Sequence, residues 1–153
     1  MAELLALDPG ECTGAAKFHD GRLDWCCALS LADELHARVD QLVIEIPNAH
    51  ESKGKDRSRR DPQAIITLAI TCGQWIRHVN APDTVRLFPS VWKGQVPKPI
   101  HNQRVLACLQ ADELAQFAAC TKGLPISKLH NVIDAVGLGL FQLGRMTRGR
   151  SAT

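Results

Sequence analysis

No stretch of this chain is apolar for long enough to cross a membrane: the longest, around Ala64 to Ile76, falls short of the roughly 20 residues that a span requires. A secretory signal pattern is also lacking, because Glu3 and Asp8 interrupt the first apolar run. Charge of one sign is scarce as well. A formal net charge of +2 and a pI near 8.3 do not announce a nucleic-acid binder, so such a reading has to rest on where the basic residues cluster. The six cysteines (Cys12, Cys26, Cys27, Cys72, Cys108 and Cys120) form no C-x-x-C pair and lack the His spacing of a zinc site. They read as small hydrophobes in a reduced, cytoplasmic protein. With 153 residues, 45% of them hydrophobic, the chain has room for one domain with a sizeable core and not for a second. The expected domain covers residues 1–146, and a basic, flexible tail covers 147–153.

What the chain does have is a carboxylate in an unexpected place. Leu4–Leu5–Ala6–Leu7 is an apolar run that ends in Asp8, directly before the turn signal Pro9–Gly10. Strands disfavour Asp, so it either begins a turn or faces something polar at a strand end. Alternation sends Leu5 and Leu7 to one side, and Leu4, Ala6 and Asp8 to the other. Asp20–Gly21 is a hairpin signal, and three antiparallel strands are expected in succession from Leu4 to Leu29. Ser30 is placed to cap a short helix through Leu31, Leu35 and Val39. The β-branched run Gln41–Pro47 then reads as a strand lying parallel to the first. Glu45 stands within it between two isoleucines, where a charge is expensive unless it is paired, neutralised or bound to a cation.

Residues 48–60 form a polar loop with Lys53, Lys55, Arg57, Arg59 and Arg60, open to two readings: a solvated loop, or a segment that holds a phosphate backbone. Asp61–Pro62 opens a helix from Gln63 towards Val79 whose apolar residues surround it. Such a helix is either fully buried, or packs one face inside and offers another to a second subunit. Thr84–Phe88 reads as a fifth strand, followed by a nonregular loop in which Lys93 and Lys98 can touch phosphates and Trp92 packs or stacks. A helix is expected over His101–Cys120 with a break at Ala111–Asp112, and a last helix, capped by Ser127, runs to Leu143. Arg145, Arg148 and Arg150 read as a frayed basic tail.

On that last helix Asp134 follows Asn131 by three residues and His130 by four, so the three share a side. The small residues Ala135, Gly137 and Gly139 let the helix approach a sheet and bring Asp134 towards the strand acids. Asp8, Glu45 and Asp134, with Asn131 or His130, supply the hard oxygens and one imidazole that suit Mg²⁺ or Mn²⁺. Three crowded carboxylates without cations would repel and raise one another's pKa values. Two such ions can hydrolyse a phosphodiester.

The ordered combination of a strand ending in Asp8–Pro9–Gly10, a hairpin, a helix, a strand with Glu45, a helix, a strand, and a helix carrying His130–Asn131–Val132–Ile133–Asp134–Ala135 resembles the RuvC-type Holliday junction resolvases, especially their short phage-encoded relatives. The resemblance runs from Leu4 to about Leu143. It implies an α/β, RNase H-like fold: a mixed five-stranded sheet with helices on both faces. It also implies a Mg²⁺-dependent endonuclease in a bacterial or phage-infected cytoplasm, which nicks branched DNA, above all four-way junctions, in symmetric pairs. By this resemblance Asp8, Glu45 and Asp134 are the metal-binding acids, Lys93 is the catalytic basic residue that the family has after its fifth strand, and Lys98 lies near a second such residue. The Ile65–Val79 helix is then the homodimer helix. The family places a His or Asp three residues before the last acid, where this chain has Asn131, with His130 one residue earlier. The alternatives are a protein that binds branched DNA without cutting it, and a phosphotransferase of the actin and sugar-kinase class, which needs two such domains around its nucleotide.

Overall fold

The computed structural model describes residues 2–33, 38–48 and 61–149. Its first three strands, β1 (Glu3–Asp8), β2 (Thr13–His19) and β3 (Arg22–Leu29), form an antiparallel meander. The second reverses into the third at Asp20–Gly21, where both residues have positive φ, 47° and 78°. That is the backbone a tight hairpin demands and the reason for Gly21. β4 (Gln41–Glu45) then adds to the free side of β1 in parallel. After α1 (Pro62–Val79), β5 (Asp83–Leu87) pairs in parallel with β4, so the five-stranded mixed sheet has the order β3-β2-β1-β4-β5. The chain finishes with the short α2 (Pro89–Trp92), then α3 (Lys98–Ala107), α4 (Ala111–Thr121) and α5 (Ile126–Gln142).

Strand alternation divides the core into two layers. Leu5, Leu7, Leu42 and Ile44 pack with Cys72 and Trp75 of α1. Leu4, Ala6, Phe18 and Val43 point the other way, into a larger cluster with Trp92, Val105, Phe117, Val136 and Leu140. Each side chain fully withdrawn from water contributes about 1.5–3 kcal/mol, so a one-residue slip of β1 would forfeit several such terms and turn Asp8 away from α5.

α1 begins as its sequence predicts, with the Asp61 carboxylate accepting from Gln63 N at 3.0 Å and Pro62 in the first turn. It is not a fully buried helix: Cys72 and Trp75 are its buried residues, while Ile66 and Ile70 are 52% and 57% exposed. Several local expectations shift. Around Ser30 the chain makes a turn in which the Asp33 carboxylate accepts from Ser30 N at 2.6 Å. Residues 34–37 of the helix expected there lie outside the described residues, and Val39 is not helical. The expected break at Ala111–Asp112 falls earlier, over residues 108–110, because Gln110 and Glu113 form a reciprocal capping box that starts α4. α3 starts at Lys98 and not at His101, since Pro99 suits a first turn. α5 starts after Pro125, and Ser127 caps nothing.

The largest correction concerns Arg145, which is not part of a frayed tail. Its guanidinium donates to both oxygens of Glu113 (2.8 and 2.6 Å) and to the carbonyls of Gly21 and Cys108. Glu113, 1% exposed, also accepts from Leu23 N and Gln110 N, so a single ion pair ties the β2–β3 hairpin, α4 and the end of α5 together. Nor does the chain leave the body at residue 147. Arg104 donates to the Thr147 carbonyl at 2.9 Å, and Gly149 is buried against the Lys93–Gly94 backbone. Among the described residues no helix is long and apolar enough to cross a membrane.

Candidate active site

β1 and β4 run parallel and end at the same edge of the sheet. Their register pairs Leu7 with Ile44, and one further step sets Asp8 beside Glu45. Asp8 shares the parity of Leu4 and Ala6, and Glu45 that of Val43, so both acids belong to the face covered by α5. α5 can lie against that face because Gly139 has no Cβ to overlap the ring of Phe18, and because the backbone at Gly14 meets the carbonyl of Asn131 directly. The Asn131 amide donates to the Cys12 carbonyl at 2.8 Å, which anchors the first turns of α5 on the loop after Asp8. Asp134, 7% exposed, follows on the inner side of α5.

Lys93, at the end of α2, completes the group. Its ammonium lies 2.8 Å from Asp134 Oδ2 and 3.9 Å from Glu45 Oε2, and 5.0 Å from the centre of the Trp92 ring. Trp92, fully buried, donates from Nε1 to Glu45 Oε2 at 2.9 Å. His101, 1% exposed, meets the Trp92 ring edge-on at 5.3 Å. Its Nε2 stands 3.3 Å from Asp134 Oδ1, close enough for an ion pair but without hydrogen-bond alignment, and Oδ1 is a buried oxygen with no hydrogen-bond partner.

The electrostatics follow from this crowding. Burial, then the charges of Glu45 and Asp134, push the Asp8 carboxyl well above the usual carboxylate range, and Lys93 and Lys98 only partly offset them. Burial also pushes Asp134 up, but His101 and Lys93 together outweigh it and hold that carboxyl below its ordinary value. Burial would lower the Lys93 ammonium; Glu45 and Asp134 reverse this and raise it.

Of the residues singled out in the sequence, Asp8, Glu45, Asp134 and Lys93 are brought together. Lys98 is exposed at the start of α3, near enough for its charge to act on Asp8. Asn131 is engaged with Cys12, and His130 faces Asn102 in α3, with 3.3 Å between Nδ1 and Nδ2. Lys53, Lys55, Arg57, Arg59 and Arg60 lie outside the described residues. His101 escaped the sequence reading, as did the bond from Trp92 to Glu45. A signal for His101 existed: it precedes Val105 by one helical turn, which puts both on the inner face of α3.

Among the described residues no three His, Cys, Asp or Glu side chains are drawn together as a ready metal cage. The donor chemistry nevertheless suits a hard divalent cation, since the charges of Glu45 and Asp134 both act on Asp8, one buried oxygen of Asp134 lacks a hydrogen-bond partner, and an ammonium already sits against two of the acids. Asp8, Glu45 and Asp134 are the residues that would hold it. No protein-family model matches this chain, and no curated protein matches it either.

Proposed function

We propose that this chain is a metal-dependent, structure-selective DNA endonuclease of the RuvC type, which resolves Holliday junctions and related branched DNA by paired symmetric nicks. The observation that carries this reading is the convergence of Asp8, Glu45 and Asp134, from two parallel strand ends and a helix, beside Lys93. The strand order β3-β2-β1-β4-β5, an antiparallel meander continued by parallel strands with helices on both faces, supports an RNase H-like fold. Bound Mg²⁺, or Mn²⁺ in its place, supplies activation of a water and stabilisation of the leaving oxygen in phosphodiester hydrolysis.

The chain's own residues have distinct tasks. Asp8, Glu45 and Asp134 hold the ions. Trp92 fixes the Glu45 carboxylate, and the apolar layer behind the acids limits access of bulk water. Lys93 and Lys98 offer positive charge to the DNA backbone, as does the basic segment 53–60, which gives affinity without reading bases. Paired nicks need two active sites, and the exposed Ile66 and Ile70 of α1 support a homodimer built on that helix.

Asp8→Asn tests the assignment directly. The variant should bind a synthetic four-way junction and fail to cut it in Mg²⁺, and full cleavage by this variant would sink the reading. A panel of forks, flaps and linear duplexes run alongside defines the substrate class.

A further inference from the structure

We propose that Lys93 is the resident counter-cation of the acid cluster, which a divalent ion has to displace, so that metal loading releases the ammonium towards the substrate phosphate. This inference rests on the metal-dependent reading above and goes beyond it by making one side chain serve two states.

The geometry favours exchange over coexistence. The ammonium bridges Asp134 on α5 and Glu45 on β4, contacting Oδ2 at 2.8 Å and Oε2 at 3.9 Å. Those carboxylates are among the residues that would hold a divalent cation, and two cations held by the same carboxylates would repel each other in a poorly solvated site. Each acid keeps a neighbour when the ammonium leaves. Glu45 keeps the bond from Trp92, and Asp134 keeps His101 beside its other oxygen. Lys93 can leave, because its flexible four-carbon stem is about a quarter exposed (25%). A lysine that leaves only when metal arrives would delay tight engagement of a phosphate at this position until the site can cut.

Calorimetric titration with Mn²⁺ in the absence of DNA, on the unsubstituted protein and on Lys93→Met, tests the exchange. The variant should bind Mn²⁺ at least about tenfold more tightly, because no resident charge has to be displaced. Equal or weaker binding by the variant overturns the exchange and leaves the metal-dependent reading standing, whereas no Mn²⁺ binding by either protein overturns both. A second measurement needs no substitution: amine labelling of Lys93, followed by peptide mass spectrometry, should accelerate when Mg²⁺ is added. An unchanged rate at saturating Mg²⁺ also overturns the exchange.

Discussion

Trp92 Nε1 donates a 2.9 Å hydrogen bond to Glu45 Oε2, which joins the helical turn after β5 to the end of β4. Trp92 is fully buried and His101 packs edge-on against it, so the ring is held from behind while its one polar atom reaches the acid. Trp92→Phe keeps most of the packing and removes the donor. A hydrogen bond to a charged group is worth about 1.5–3 kcal/mol, and the proposed cleavage should therefore slow by about 10–100-fold. Single-turnover cleavage and junction binding measured on the same preparation check this, with binding expected to stay unchanged.

Asp8 carries a sharper prediction about stability. Its carboxyl is raised in the folded protein by burial and by Glu45 and Asp134, so the unfolded chain releases that proton at lower pH than the folded one. Between the ordinary value of 3.8 and the raised one, the folded state binds more protons, and stability falls as pH rises. Asp8→Asn removes the penalty. The metal-free variant should melt at a higher temperature than the unsubstituted protein at neutral pH, and the gap should close in acid, where both side chains are neutral. Saturating Mg²⁺ should stabilise the unsubstituted protein and leave the variant's melting temperature nearly unmoved.

Asp8 and Glu45 were legible because a strand's period of two is rigid: once Leu4 and Ala6 face the core, Asp8 shares their side, and Val43 settles Glu45 in the same way. Asp134 was legible for a similar reason on a helix. What could not be read was the choice of long-range partners. Nothing local distinguishes Arg145, which is locked to Glu113, from Arg148, which is exposed two residues beyond Met146. His101 and Asn131 are comparable. Each is a polar residue on an inner helix face, and only the docking of α3 and α5 decides that one meets Asp134 and the other the Cys12 carbonyl. The position of the α3–α4 break depended on a capping box that begins with Gln110, a less usual opening residue than Ser, Thr or Asp.

The Glu113–Arg145 pair sets the acid limit of the fold. The hydrogen bonds from Arg145, aided by the Gln110 and Leu23 amides and opposed by burial, hold the Glu113 carboxyl down at about 2, against an ordinary 4.5. A depressed carboxyl contributes stability that is complete above its unfolded value and is lost as pH falls towards the folded one, here about 3 kcal/mol in all. Arg145→Met should cost a similar amount at neutral pH, about 3 kcal/mol, because it leaves a buried carboxylate without its cation. Urea unfolding at pH 7 and near pH 2.5 checks both points: the difference between the two proteins should shrink in acid.

Gly14 tests whether the placement of α5, and not only its acid, matters to the site. A methyl group there would run into the Asn131 carbonyl, which is backbone and cannot rotate away, so the start of α5 has to lift from β2. Asp134 lies three residues further along and would move with it, out of register with Asp8 and Glu45. Gly14→Ala should cost about 1–3 kcal/mol as overpacking and reduce cleavage by more than that loss of stability explains. Gly73→Ala makes the contrast, since in the exposed interior of α1 a Cβ meets nothing within 4 Å. That substitution should raise stability by about 0.5–1 kcal/mol. Equal stability changes in the two variants would mean that α5 is free to retreat from the sheet and that its close contact at Gly14 does not fix Asp134.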